Sequence, residues 1–162
     1  MIRDVEIDDA PRIAEIYNHY ILNTIITFEE ETLTNQQVAS RIEQLKDLKM
    51  PWIVTEQQGQ VVGYAYAGKF KERAAYRYAT EVSVYLDHQA TGAGLGTKLF
   101  TELFVRLEKT PIHVVIGGIA LPNEASIALH EKFGMEKVAD FKQVGYKFDR
   151  WIDVGYWQKV IK

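Results

Sequence analysis

Cysteine is absent from the 162 residues of the chain. Without thiols the chain has no disulfide scaffold, no thiolate zinc site, no iron–sulfur cluster and no cysteine nucleophile. Proline is scarce at 4 residues, and no apolar run approaches the ~20 residues that a transmembrane helix requires. The chain therefore relies on a hydrophobic core, which a chain of this length can build without covalent staples.

A large net charge of either sign is also missing. The 19 basic and 22 acidic side chains leave a formal net charge of -3, which gives no electrostatic case for nucleic acid. The first residues, MIRDVEID, carry acidic side chains where a secretory signal would have a basic end and an apolar stretch. We expect one domain over residues 1–162, placed in the cytoplasm, without a membrane or nucleic-acid partner.

Helix and strand signals are mixed along the chain, and strands dominate its middle and end. Thr34 and Gln37 form a capping-box pattern that predicts a helix start. Trp52–Thr55 and Val61–Gly68 flank a polar turn and predict a hairpin. The run Thr80–Leu86 predicts a strand whose odd and even positions face opposite sides. The next helix is marked by leucines at helical spacing, namely Leu95, Leu99, Leu103 and Leu107.

The segment between this strand and this helix is rich in glycine. Gly92, Gly94 and Gly96 remove side chains just where the free amides of a helix start can bind an anion. The pattern suits a phosphate or pyrophosphate, and a purely structural turn is the alternative. Thr97 replaces the third glycine of a dinucleotide fingerprint, and the spacing to Lys98 is one residue short of a P-loop.

Gln89-x-x-Gly92-x-Gly94 resembles the signature of the GNAT superfamily of N-acetyltransferases. Further segments spread along the chain resemble the phosphinothricin and methionine sulfoximine N-acetyltransferases within it. The resemblance implies an α/β GNAT fold, a central mixed, mostly antiparallel sheet flanked by about four helices. The matching segments are Tyr17-Asn18, Thr27-Phe28, Gly63-Tyr64-Ala65, Glu81-x-Ser-Val-Tyr, Leu121-Pro-Asn, His130-Glu131 and Asp153–Gln158.

The same resemblance implies acetyl-CoA as co-substrate. In that superfamily the pantetheine arm pairs with the strand before the glycine loop, and the loop amides hold the pyrophosphate. An asparagine at the start of the following helix also contacts the cofactor, although a helix cap is its alternative role. The matching residues here are Val84, Tyr85 and Leu86 for the arm, Gly92, Ala93, Gly94, Leu95, Gly96 and Thr97 for the pyrophosphate, and Asn123.

Two residues are candidates for catalysis. Glu81 lies on the strand before the loop and matches a glutamate assigned as general base in the family. An ordinary glutamate is a weak base for an ammonium, so this role requires apolar surroundings or a bridging water. His130 matches a possible second catalytic group, with a structural helix histidine as the alternative. The four scattered histidines give no case for a metal site.

The stretch Lys69–Tyr78 combines four cations with aromatic side chains, and the family uses this loop to hold its amino-acid substrate. Lys71, Arg73 and Tyr76 are therefore candidate substrate-binding residues, with a solvated charged loop as the alternative. Phe28 is a candidate second wall of the site. We expect a tetrahedral phosphinate or sulfoximine head to be preferred over methionine, and Arg73→Ala to remove that preference.

The resulting hypothesis is direct transfer of an acetyl group to the α-amino group of a small amino-acid analogue, in a detoxification role. Acetylation of another small amine or of a protein amino terminus is an alternative, and a non-catalytic acyl-CoA-binding domain is a second. The resemblance also implies a homodimer, although nothing in the sequence identifies the contacting face.

Overall fold

The computed structural model describes residues 1–90 and 93–162. Its strands are β1 (Ile2–Asp4), β2 (Trp52–Gln57), β3 (Gln60–Lys69), β4 (Ala79–Leu86), β5 (Val114–Ala120), β6 (Glu136–Lys147) and β7 (Arg150–Val160). Its helices are α1 (Ala10–Asn23), α2 (Asn35–Asp47), α3 (Leu95–Leu107) and α4 (Glu124–Lys132), with short 3₁₀ turns at Ile7–Asp9 and Ala74–Tyr76. No helix in these described ranges is long and apolar enough to cross a membrane.

The described strands form one seven-stranded sheet in the order β1-β2-β3-β4-β5-β7-β6. Neighbouring strands run antiparallel except β4 and β5, which run parallel. The parallel pair needs a crossover connection, and α3 supplies it. The expected fold class, an α/β arrangement with a mixed, mostly antiparallel sheet and about four helices, is confirmed.

The two faces of β4 pack against different helices, as its alternating sequence predicts. Val82 belongs to the core that contains Leu99 and Leu103 of α3, and Val84 and Leu86 pack against the same core. Tyr85 points to the other face and packs against the core that contains residues of α1. Glu81, two residues from Ser83 and four from Tyr85, shares the face of the odd positions.

β4 and β5 lie side by side only at their beginnings. Ala79–Glu81 pairs with Val114–Ile116, and β4 then continues to Leu86 without further pairing to β5 among the described residues. Over the same stretch β5 stays paired with β7 up to Ala120. The sheet is therefore open between the carboxyl ends of two neighbouring parallel strands, next to the start of α3.

The last hairpin forms one wall of that opening. β6 and β7 are joined by Phe148 and Asp149, both with left-handed φ angles of 52° and 57°, as a two-residue type I′ turn requires. Farther along, Phe141 pairs with Val154 but Gly145 pairs with Ile152, so β6 carries extra residues in a bulge. The bulge places Val144 on the rim of the cleft described below.

Candidate active site

A cleft of about 400 Å³ lies on the sheet face that carries Glu81. Its floor comes from the strands on both sides of the opening, and its roof comes from the loop between α1 and α2. Both polar and apolar side chains line it, as is usual for a small-molecule site. The lining residues are Ile26, Thr27, Phe28, Tyr66, Glu81, Ser83, Tyr85, Gly118, Ala120, Val144, Val154 and Tyr156.

Glu81 projects across β5 toward β7. A Cβ added to Gly118 would lie 3.4 Å from Glu81 Oε2 and 3.0 Å from the Tyr156 ring, so glycine leaves room for both side chains. Burial raises the pKa of the Glu81 carboxyl above its ordinary value, and the charge of Lys71 opposes this shift. A carboxylate in this environment is a stronger base than a solvated glutamate, which meets the requirement stated for its catalytic role.

The start of α3 is the candidate anion-binding end of the site. Gly94 precedes the helix with a left-handed φ of 70°, and it offers no side chain to cap the first amides. The amides of Leu95, Gly96 and Thr97 lie in the first turn, where a helix has no internal acceptors for them. Lys132 of α4 adds a positive charge, with Nζ 3.4 Å from Thr97 Oγ1. The arrangement can bind a phosphate or pyrophosphate.

The other residues predicted to bind the cofactor belong to the loop before α3, to α3 itself and to the start of α4. Ala93 is exposed beside Gly94. The side chain of Leu95 is buried, so its contribution to a ligand would come from the backbone amide. Gly92 lies outside the described residues. Asn123 caps α4, because its Oδ1 accepts a hydrogen bond from the Ser126 amide at 3.1 Å.

The strand positions predicted for the pantetheine arm lie beside the opening in the sheet. Val84, Tyr85 and Leu86 all follow the last β4 residue paired with β5. The Tyr85 ring packs edge-on against Tyr17 at 5.1 Å, and burial raises the pKa of its phenol well above the ordinary value. Tyr85 is therefore a packing residue that also lines the cleft.

The candidate substrate residues are divided between two cavities. Phe28 lines the Glu81 cleft. Lys71, Arg73 and Tyr76 line a neighbouring cavity of about 360 Å³, formed with the turn after α2 and the start of β4. Lys71 is near enough to lower the pKa of Glu81 by its charge. The structure thus brings Phe28 and Glu81 together and leaves Arg73 and Tyr76 in the adjacent cavity.

His130 lies on the opposite side of β5 from Glu81. A Cβ on Gly117 would meet His130 Nε2 at 2.6 Å, whereas the neighbouring Gly118 faces Glu81, and successive strand residues point to opposite faces. The histidine is 5% exposed and its Nδ1–H donates to the Ser126 carbonyl at 2.7 Å. Burial lowers the pKa of its imidazole, and this hydrogen bond opposes the shift. The geometry favours the structural alternative for His130.

Several cleft residues had no role assigned from the sequence. Tyr156 and Ser83 occur in segments that carry the family resemblance, yet nothing in their spacing indicates that they line the same cleft. Burial, together with the charge of Glu81, raises the pKa of the Tyr156 phenol. Tyr66 pairs with Ser83 across β3 and β4 and forms the far wall. The long-range pairing of β5 with β7 creates this group.

Comparison with known proteins identifies the family. Residues 2–155 match the acetyltransferase (GNAT) domain family. The chain is 38% identical to a phosphinothricin N-acetyltransferase of Streptomyces viridochromogenes, over 98% of this chain and 86% of that protein. It is 36% identical to an L-methionine sulfoximine/L-methionine sulfone acetyltransferase of Salmonella typhimurium, over 97% of this chain and 92% of that protein.

A solved structure shows the same fold. A GNAT superfamily phosphinothricin acetyltransferase from Sinorhizobium meliloti, in complex with acetyl-CoA, superposes with a TM-score of 0.95 at 35% identity. The match covers 99% of this chain and 87% of that one. The resemblance inferred from the motifs is confirmed. The chain belongs to the GNAT family of acetyltransferases.

Proposed function

We propose that the chain is an acetyl-CoA-dependent N-acetyltransferase that acts in the cytoplasm on the α-amino group of a small amino-acid analogue. One observation carries the proposal: Glu81, partly buried and with its pKa raised by burial, lies beside the opening between the parallel strands β4 and β5, and α3 begins after it at Gly94, which has no side chain to cap the helix. The relatives named for phosphinothricin and methionine sulfoximine support this substrate class.

The described residues fit acetyl-CoA. The amides at the start of α3, with Lys132, would hold its pyrophosphate, and we propose the same ligand for Gly92 from the sequence motif alone. The β4 backbone at Val84, Tyr85 and Leu86 would pair with the extended arm, and the Asn123 side chain would stand beside it. When bound, acetyl-CoA supplies an activated thioester.

We assign to the protein the removal of one proton from the substrate ammonium. An amino-acid ammonium must lose a proton before its nitrogen can form a bond to a carbonyl carbon. The Glu81 carboxylate would accept that proton, directly or through a water molecule. The C–N bond would then form as the C–S bond breaks, and the second proton of the nitrogen would pass to the departing sulfur, which leaves as the free thiol. The chain has no cysteine, so the acetyl group would pass directly to the amine.

Acetylation converts the cationic α-amine of the analogue to a neutral amide. A protein that recognises the analogue by its charged amine would no longer bind it, and this is the basis of the proposed detoxifying role. The cations Lys71 and Arg73 would bind the α-carboxylate or the tetrahedral head of the analogue, and Tyr76 would supply a hydroxyl. Phe28 would form the apolar wall over Glu81. The closeness of Lys71 to Glu81 supports one substrate spanning both cavities.

We expect methionine sulfoximine or phosphinothricin to be acetylated well ahead of methionine. Methionine has the same reach but no head oxygens, so the donors that bind the head would stay unpaired. Each unmet donor costs roughly 1–3 kcal/mol, or on the order of 5–150-fold in kcat/KM. Arg73→Ala should remove the preference, and Arg150→Ala on the last hairpin is the matched control. Equal rates on methionine and its sulfoximine would contradict the preference for a tetrahedral head and would leave the acetyltransferase activity standing.

We also propose a homodimer. The last hairpin exposes a cluster of large apolar side chains on the edge of the sheet, and such patches mark protein interfaces. The cluster consists of Tyr146 and Trp151, whose rings pack 4.7 Å apart, with Phe148 of the turn, all more than half exposed. We expect a dimer mass by light scattering and dissociation on Trp151→Glu. A monomer mass at every concentration would overturn the proposal.

A further inference from the structure

A buried lysine that the proposed mechanism does not use lies at the end of β6. Lys147 is 2% exposed, among the largest fully buried side chains of the molecule. Its Nζ donates a hydrogen bond to the Thr27 carbonyl at 2.7 Å. Burial lowers the pKa of its ammonium, and the charges of Glu30 and Glu29 oppose the shift. Burying an ammonium is costly, and here a neutral carbonyl takes its hydrogen bond.

The partner of Lys147 is part of the cleft roof. Thr27 and its neighbour Phe28 both line the cleft above Glu81. Gly145, two residues before Lys147 and therefore on the same face of β6, lies directly under the Phe28 ring. A Cβ on Gly145 would be 2.4 Å from that ring, so the ring needs glycine there. Gly145 and Lys147, two successive inward-facing residues of β6, thus contact Phe28 and Thr27, two successive residues of the roof.

The other side of the roof is fixed by polar contacts to the two helices. Thr27 Oγ1 lies 2.7 Å from the Tyr17 hydroxyl of α1. Glu29 forms a bidentate ion pair with Arg41 of α2, with N–O distances of 2.7 and 2.9 Å. These contacts hold the loop to α1 and α2, whereas Lys147 and Gly145 hold it to the far wall of the cleft. The distance of the Phe28 ring from Glu81 therefore depends on the contacts with α1 and α2 and on the contacts with β6.

We infer that Gly145 and Lys147 hold the roof loop in position over the cleft. Lys147 is then a positioning residue that sets the affinity for the amine acceptor. The inference rests on the proposed function, because Phe28 is its proposed substrate wall. Lys147 does not touch the reacting atoms, and the anion-binding end at α3 is formed by other elements. Loss of its hydrogen bond should therefore weaken acceptor binding and leave acetyl-CoA binding unchanged.

The test compares Lys147→Met with wild type. Methionine keeps the length of the side chain and removes its donors. We expect the acceptor KM to rise on the order of 10-fold, as for loss of one charge-assisted hydrogen bond, with kcat and the acetyl-CoA Kd within about twofold. Lys147→Arg should restore part of the KM, because the guanidinium still donates. Lys137→Met, at an exposed lysine of the same strand, is the control.

A double-mutant cycle with Phe28→Ala separates positioning from general destabilisation. If Lys147 acts through the roof, Lys147→Met should add little to the KM already raised by Phe28→Ala. Gly145→Ala should raise the acceptor KM with Lys147 intact, and it serves if Lys147→Met does not fold. An unchanged KM in folded Lys147→Met or Gly145→Ala, or additive effects in the cycle, would overturn the inference. Failure of the proposed function would look different, since wild type would then acetylate no amine.

Discussion

Replacement of Glu81 by glutamine is expected to lower kcat by about 10²–10⁴-fold while the acetyl-CoA Kd stays unchanged. Glutamine keeps the size of the side chain in the space left by Gly118, but its amide cannot accept the ammonium proton. The range is the usual contribution of a general base. Steady-state kinetics at saturating acetyl-CoA, with calorimetric titration of the cofactor, measures both quantities.

The pH profile gives an independent readout of the same role. Burial raises the pKa of Glu81, so kcat/KM should fall as the pH drops through a value above the ordinary range of glutamate. Lys71 lowers that pKa by its charge, and Lys71→Met should therefore move the acidic limb to higher pH. In Glu81→Gln this limb should be absent. Full activity of Glu81→Gln across the pH range would make Glu81 a structural residue.

A second large effect is expected from Gly94→Asp. Gly94 lies at the start of α3, and no described residue comes within 4 Å of its Cβ position, so a side chain there adds the strain of a left-handed φ without a clash and the fold should survive. The new carboxylate would stand at the helix start proposed to bind the pyrophosphate. Two like charges about 5 Å apart repel each other by about 3 kcal/mol at an effective dielectric of about 20. We expect the acetyl-CoA Kd to rise at least ~100-fold in a calorimetric titration.

Gly59 provides a closely matched control for this substitution. It has a φ of 75° in the β2–β3 turn, close to the 70° of Gly94, and likewise nothing within 4 Å of its Cβ position. Gly59→Asp introduces the same strain and charge away from the cleft and should leave the Kd unchanged. Gly94→Asn keeps the backbone strain and omits the charge, so its effect should be small. Unchanged affinity in Gly94→Asp would remove this loop from cofactor binding.

Local signals in the sequence were sufficient for several elements of this fold. The Thr34 and Gln37 capping box is present in both directions at the start of α2. The alternation along β4 correctly separates the packing face from the face of Glu81. Asp9 directly precedes α1, where an acidic side chain commonly caps a helix. Its carboxylate instead accepts from the Glu6 amide and from Arg3 of β1, and does not cap α1.

The remaining features of the site depend on contacts between distant segments. Nothing near His130 in the sequence indicates that Gly117 would place it on the side of the sheet away from Glu81. In the cleft roof, the Thr27 carbonyl accepts a hydrogen bond from Lys147, 120 residues later in the chain. The division of Phe28 and Arg73 between two cavities also follows from how the loops fold over the sheet. Periodicity and motifs carry little information about such distances.

Release of free CoA thiol from acetyl-CoA, measured across a panel of amines, tests the central claim most directly. The panel would hold methionine sulfoximine, phosphinothricin, methionine, an N-terminal peptide and a simple alkylamine, each with wild type and Glu81→Gln. The account predicts rapid thiol release with the tetrahedral amino-acid analogues and a loss of about 10²-fold or more in Glu81→Gln. Binding of acetyl-CoA without thiol release on any amine would contradict it and identify a non-catalytic binding domain.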